Sequence, residues 1–495
     1  MYCGDKLNNS IILLSIVFIP ATGGILGAIF LKDKLLEKFV YLISYIQLIV
    51  CTYIYIQFAF FGYEQISVLY EWINIGKVNV DFYIKLDGLN APLILLAGIL
   101  TPVSVHASNH IKKRINEYYF WLFLLITGVF GVFLSFDLIL FFFFFELEII
   151  PMFFLISIWG TGRKEYSAMK FLLFTLSGSA LLIIGFLCIY FSSGTFNLDE
   201  LSQIQINWII PSVFVFILIF IGFSIKLPMW PFHGWLPDAH TDAPTAASVL
   251  LAGLLLKMGG YGIIRICYSL MSSDAHDLSL IISVFGVISV IYGALMTLRQ
   301  TDLKRLVAFS SVSHMGYILI GLSAFSSSDL ITQKLGLSGA SLQMVSHGLI
   351  TGLLFYLVGG IYERCKTREV YELGGLASNF KFTSVALAIS GMASLGLPGT
   401  SGFIAEIMVF MGGFAEYHIL TSISVFGVVL AAGYILWMLQ RVIFGTSVNN
   451  YNKLSDLNIV EKIPVLILLF SILFIGIYPR FITDVLNLGL TGIIN

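Results

Sequence analysis

Charge is scarce in this 495-residue chain: charged side chains make up 11% of it, and the net charge is −1. That balance leaves no basic surface for nucleic acid. The five cysteines (Cys3, Cys51, Cys188, Cys267 and Cys365) form no C-x-x-C pair, which argues against a metal or iron–sulfur site. No G-x-G-x-x-G stands at a strand–helix junction, no phosphate loop occurs, and no histidine pair is spaced for haem. The chain is therefore expected to carry no redox chemistry or cofactor of its own. Long polar segments are missing too. The largest polar insertion, around 62–88, is short and mixed in charge, so no soluble domain is expected. The N-terminal "MYCGDKLNNSIILLSIVFIP" lacks the n-region and cleavage site of a signal peptide, and its apolar part reads as the first span.

What is present in abundance is apolar sequence, 58% of residues with a mean hydropathy of +0.94. Apolar stretches of membrane-spanning length recur from end to end. They predict an all-α polytopic membrane protein with about fourteen helices, near 10–31, 38–61, 89–108, 118–136, 138–158, 167–192, 207–227, 244–270, 279–298, 304–325, 340–361, 383–411, 419–444 and 462–479. With both termini outside, nineteen of the 27 Lys and Arg fall in inside loops and six outside. This is the bias that the positive-inside rule requires. It puts "RKEY" (163–166) and "TREVYE" (367–372) on the negative side. Two basic residues, Lys226 and Lys257, fall within helices instead.

An internal repeat is visible. "FDLILFFFFFE" (136–146) matches "TDLKRLVAFSS" (301–311), each with an Asp placed to cap the helix that follows, Asp137 for the fifth and Asp302 for the tenth. "IKLPMW" (225–230) matches "LGLPGT" (395–400), each a Leu-Pro that interrupts an apolar span. Order and spacing agree, which predicts two five-helix repeats, helices 4–8 and 9–13, inverted relative to each other because five is odd. Helices 7 and 12 are then broken at matching places, an architecture of ion transporters. The expected divisions are 1–117 (three helices), 118–270 (first repeat), 271–445 (second repeat) and 446–495 (helix 14).

Ionisable residues inside spans are the chemistry to explain. Inserting one costs about 2.5–3.5 kcal/mol on translocon scales. Glu146, Glu148, Lys226, Lys257 and Glu406 all lie within predicted spans. One ion pair could simply lock two helices; five groups over helices 5, 7, 8 and 12 exceed what locking needs. Glu146 and Glu148 are roughly 200° apart around a regular helix, so they cannot share one seam. Glu148 is left without a role, or facing a neighbouring subunit. His314 ("SSVSHMGY") and His347 ("QMVSHGLI") lie on adjacent helices beside the broken helix 12, which suits a proton relay. His106 and His110 fall at a helix end and read as interfacial, and the run Phe141–Phe145 as apolar bulk. Acids, bases and histidines at mid-membrane depth make up machinery for protons or small cations.

Four stretches carry a resemblance: "IKLPMWPFHGWLPDAHTDAPTAASVLLAGLLLKMGGYGIIR" (225–265), "AFSSVSHMGYILIG" (308–321), "LQMVSHGLITGLLFYLVGGIYER" (342–364) and "MASLGLPGTSGFIAEI" (392–407). Together with "FFFFFELEIIPMFFLISIWG" (141–160), they resemble the antiporter-like subunits of respiratory complex I, the chain 4 type (chain M in bacteria) of NADH–quinone oxidoreductase, including photosynthetic relatives. The resemblance implies a Glu146–Lys226 pair, Lys257 as the link between two half-channels, and His314 and His347 leading to Glu406. A Glu at that last position fits chain 4, whereas the sibling chains 2 and 5 carry Lys. It implies sibling chains 2 and 5 and lipid as partners, with flavin, iron–sulfur clusters and quinone in other subunits. The membrane would be the mitochondrial inner membrane, the bacterial plasma membrane or the thylakoid. An Mrp-type sodium/proton antiporter subunit, the membrane subunit of an energy-converting hydrogenase or related dehydrogenase, and a purely structural arm are the alternatives.

Overall fold

The computed structural model describes residues 2–61, 66–76, 78–446, 451 and 454–494. Lys77 and Lys453 lie outside the described residues, as do the side chains of Cys3 and Lys6. Helices α1 (Tyr2–Phe30) and α2 (Asp33–Ile56) lead into an antiparallel hairpin, β1 (Ile66–Ile75) and β2 (Val78–Leu86), followed by α3 (Ala91–His106). Then come α4 (Ile115–Leu134), α5 (Leu138–Leu147), α6 (Ile149–Trp159), α7 (Lys164–Ser193), the short α8 (Leu198–Leu201) and α9 (Ser212–Lys226). After α10 (Leu236–Asp242), one continuous helical run consists of α11 (Thr245–Leu250), a π turn, α12 (Leu256–Gly262) and a second π turn. The rest is α13 (Ser272–Asp277), α14 (Ser279–Leu298), α15 (Leu303–Ser323), α16 (Leu330–Cys365), α17 (Lys381–Ser394), α18 (Ser401–Glu416), α19 (His418–Val442), α20 (Ile459–Ile477) and α21 (Arg480–Ile494).

Among the described residues, eleven helical segments are long and apolar enough to cross a membrane. The other three predicted spans coincide with the shorter α3 and α9 and with the interrupted pair α17–α18. Three segments form the centre: Thr245–Tyr268, Leu303–Ser326 and Leu330–Cys365 are buried almost throughout. Peripheral helices turn apolar side chains outward, as at Phe191 (67% exposed), Ile419 (77%) and Phe470 (68%). Apolar side chains on the rim around a polar-bearing centre reverse the pattern of a water-soluble protein and match a lipid-facing surface.

The two Asp caps form as the sequence predicts. Asp137 Oδ1 accepts from the N–H groups of Ile139 (2.9 Å) and Leu140 (3.1 Å), and Asp302 Oδ1 from that of Arg305 (3.0 Å). Asp137 is buried at the edge of its span, and burial pushes its carboxyl up to about 6 against the pull of these bonds. A further likeness surrounds each cap. Leu138 N–H donates to Phe196 O and Leu198 N–H to Phe136 O; likewise, Leu303 N–H donates to Arg368 O and Val370 N–H to Thr301 O. The start of one helix is thus stitched to a loop about sixty residues on, twice over, by the same pair of backbone bonds.

Both Leu-Pro sites interrupt their helices. α9 stops at Lys226, and an irregular passage through Pro228 precedes α10; α17 stops at Ser394, and 395–400 lead into α18. The backbone groups set free are satisfied within the protein. Ser224 O accepts from Met229 N–H (3.0 Å), and the Trp235 indole donates to Ile225 O (2.9 Å). Such repair is what allows non-helical backbone at depth.

Three features depart from expectation. The insertion 62–88 contains the hairpin, hidden from a period-two reading because β1 exposes apolar residues on both faces, Leu69, Tyr70, Trp72 and Ile75 among them. The predicted 340–361 belongs to a 36-residue helix that Asp329 caps, whose early residues Thr332, Gln333 and Lys334 break the apolar run. The chain also continues past the fourteenth predicted span into amphipathic α21, which buries Ile482, Val485, Leu486 and Leu490. This last helix approaches the turn before α3 so closely that a Cβ on Gly489 would sit 2.2 Å from the Leu89 nitrogen. Gly489→Ala is therefore expected to lift α21 off its seat at a cost of about 1–3 kcal/mol, seen as a lower melting temperature of the purified protein.

Candidate functional site

The two acids of "FFFFFELEII" stand at an interruption in the helix. Pro151 has no N–H to donate to Leu147, and the span divides there into α5 and α6 with Glu148 at the junction. Glu148, at this junction, turns inward while Glu146 stays on a half-buried face. Its carboxylate is completely buried and ion-pairs through Oε1 with Lys226, the last residue of α9. The Lys226 ammonium also lies over the rings of Phe145 (5.1 Å) and Phe171 (5.6 Å). Glu146, expected in this contact, is instead half-buried, with Ser179 of α7 as a hydrogen-bonding neighbour and Oε1 without a partner among the described residues. The pairing Glu146–Lys226 is thus corrected to Glu148–Lys226 in the described state.

Lys257 sits in α12, completely enclosed. The π turn before it sends the Leu256 N–H back five residues to Leu251 O, which re-aims the neighbouring carbonyls. The Lys257 ammonium donates to one of them, Ala252 O, and meets His347 Nδ1 of α16 at 2.7 Å. The His347 ring lies 5.4 Å from that of His314 on α15, centroid to centroid. His314 Nδ1 in turn is 3.4 Å from Glu406 Oε1 on α18, and its other nitrogen is 3.3 Å from the Ser394 hydroxyl at the end of α17. Gln343 and Ser346 complete an enclosed space that His314, His347 and Glu406 all line. The break in helix 12 shapes this end: Gly396 adopts φ +80°, and a Cβ there would meet Glu406 Oε2 at 2.6 Å. Four of the six predicted residues, Lys257, His347, His314 and Glu406, thus form one line. Lys226 stands apart with Glu148, and among the described residues no hydrogen bond joins it to Lys257.

Several buried polar residues were not singled out from the sequence. Lys304 was read as a loop residue, yet it is buried at the start of α15, donating to Ala243 O (2.6 Å) with the Ser248 hydroxyl at 3.3 Å. His240 in α10 is completely buried, stacks on Phe355 (4.6 Å), and has neither ring nitrogen bonded among the described residues. Arg265, taken as an outside-loop residue, lies in the second π turn below Lys257 and pairs with Asp87 at 2.5 Å. Of the two histidines at the end of α3, His106 is buried and bonds the Tyr45 hydroxyl (2.8 Å), and exposed His110 approaches Glu363 (3.5 Å). Membrane-depth His and Arg beside aromatic residues were the available signal. Among the described residues, no cluster of His, Cys, Asp or Glu could hold a metal ion.

A line of titratable groups on interrupted helices now has relatives to be compared with. The family described as NADH:quinone oxidoreductase/Mrp antiporter, TM, matches residues 135–431. The chain belongs to this family. It is 36% identical to NADH-quinone oxidoreductase subunit M of Rhodobacter capsulatus over 83% of this chain and 81% of that protein. Identity is again 36% to NAD(P)H-quinone oxidoreductase chain 4, chloroplastic, of Mesostigma viride, over 99% and 97% of the two chains. The fold matches a chain of respiratory complex I from Thermus thermophilus with a TM-score of 0.86, at 24% identity over 97% of this chain and 99% of that one. The family match covers both helix interruptions, the Glu148–Lys226 pair and the whole Lys257–Glu406 line.

Buried ion pairs of this kind are costly to break singly, because the remaining charge has no water to turn to. Asp87→Asn keeps the acceptor oxygen that binds the N–H groups of Leu89 and Asn90 (3.0 Å each) but removes the charge facing Arg265. The variant is expected to lose about 3–5 kcal/mol, measured as a fall in the melting temperature of the purified protein. An unchanged melting temperature contradicts this.

Proposed function

We propose that this chain is the proton-translocating membrane-arm subunit of a NADH–quinone oxidoreductase. The observation that carries the proposal is the buried line Lys257–His347–His314–Glu406, closed by contacts of 2.7 and 3.4 Å at its ends. An ammonium against an imidazole nitrogen is a donor set against an acceptor, so a proton can pass from Lys257 Nζ to His347 Nδ1. Rotation of the imidazole presents the proton to His314 and then to the Glu406 carboxylate, where α17 and α18 part. Enclosure by apolar helices keeps the charge on this route, since any other position leaves it unpaired. The Lys226–Glu148 pair stands before the line, in the first repeat. The two repeats lie inverted in the membrane, with both termini on the positive side.

The names of the relatives, subunit M and chain 4, support this reading over a free-standing antiporter. No redox centre is assigned to the chain, so the driving reaction occurs in partner subunits that hold flavin, iron–sulfur clusters and quinone. The apolar outer faces fit lipid and sibling antiporter-like chains, in an energy-transducing membrane of a bacterium or organelle. In the assembled enzyme the chain is one part of a translocase.

Two substitutions test the line. Glu406→Gln should lower the protons moved per electron in reconstituted vesicles while the complex still assembles and oxidises NADH. Gly396→Ala should do the same by displacing the Glu406 carboxylate, whereas Gly399→Ala, at φ +91° with open space around it, should leave the ratio alone. A normal proton-to-electron ratio in Glu406→Gln makes that residue structural.

A further inference from the structure

The proposed function uses Lys226 but does not account for two carboxylates beside it. We propose that Glu148 and Glu146 are alternate counter-ions of Lys226, and that Glu148 itself binds and releases a proton as the lysine moves between them. The inference rests on the proposed proton path and adds a residue to it.

The geometry separates the two acids clearly. Glu148 is 0% exposed and sits at the α5–α6 break, bonded to the lysine through Oε1, with Oε2 unpartnered among the described residues. Glu146 lies two residues earlier on a half-buried face, beside Ser179, with one oxygen unpartnered and close enough to act electrostatically on Lys226. Both positions border the same helix, α7: Phe171 lies against the ammonium and Ser179 against Glu146. The Phe145 ring, adjacent in sequence to Glu146, also lies against the ammonium and offers its face to a cation moving across. The lysine stem is flexible and its backbone is the last turn before a helix interruption, so the ammonium can be re-aimed without unfolding α9.

The consequence for charge follows directly. When the ammonium leaves for Glu146, Glu148 remains as an enclosed carboxylate with no cation. Such a state is far more costly than a neutral acid in the same place, so Glu148 takes up one proton from the path. When the ammonium returns, the restored ion pair expels that proton. Lys226 stays protonated throughout; one proton binds and one leaves at Glu148 per swing, and no other bond changes. Glu146, at the half-buried face, is the acid through which a neighbouring subunit can pull the lysine.

The test uses the assembled complex in vesicles, with proton translocation per electron and infrared difference spectra between resting and turning-over enzyme. Glu148→Gln should abolish most translocation and remove a protonated-carboxyl band that wild type shows on turnover. Glu148→Asp should retain part of the translocation and shift the band. Should Glu148→Gln fail to assemble, the Asp variant decides: an unshifted band overturns the assignment. Lys226→Met is the companion. Loss of pumping in Lys226→Met with a normal ratio in Glu148→Gln overturns the role of Glu148 alone. Normal pumping in Lys226→Met overturns the proposed function beneath it.

Discussion

Lys257 carries an ammonium into the centre of an apolar protein, and among the described residues no carboxylate pairs with it. Its partners are a backbone carbonyl and an imidazole. That arrangement depends on the π turn of Leu251–Leu255 and on α16 placing His347 opposite. It also depends on α9 and α12 packing backbone to backbone at Gly259, where a Cβ would meet Leu227 N and Phe223 O at 2.7 Å. A charge so held is only just tolerated, because a neutral acceptor offsets less of the desolvation cost than a carboxylate does. Marginal tolerance is useful in a relay, since a deeply stabilised ion would not hand its proton on.

The same constraint orders the rest of the molecule. The outward faces of the spans carry apolar residues such as Ile419 and Phe470. Charges with partners collect in pairs: Glu148–Lys226 at depth, Arg265–Asp87 and Lys85–Asp199 around one pocket beside the hairpin, and Lys170–Asp238 near the other end. The irregular backbone lies in the same places, with the α5–α6 junction, the two Leu-Pro interruptions and the two π turns each holding or bordering an ionisable side chain. Helix breaks here free polar backbone for side chains that would otherwise lack it.

Much of this was legible in the sequence, and for physical reasons. Apolar runs fix spans because the bilayer sets their length, proline marks interruptions because it lacks an N–H, and Asp137 and Asp302 announce caps by position. Lys257, His314, His347 and Glu406 stood out because charge and imidazole are rare at depth. The partner of Lys226 was not legible: the resemblance implied Glu146, and nothing in the residue pattern says which of two acids two positions apart meets the ammonium. The hairpin and α21 escaped because neither is uniformly apolar. Lys304 and Arg265 were counted as loop residues because hydropathy cannot say which basic residue near a helix end turns inward.

Lys257 passes protons rather than merely filling space, and its removal should show this. Lys257→Met keeps the length and apolar stem of the side chain while removing the exchangeable protons. In vesicles holding the assembled complex, NADH-driven proton uptake per electron should fall well below the wild-type ratio, with the complex still intact by native electrophoresis. A wild-type ratio in Lys257→Met would contradict the account.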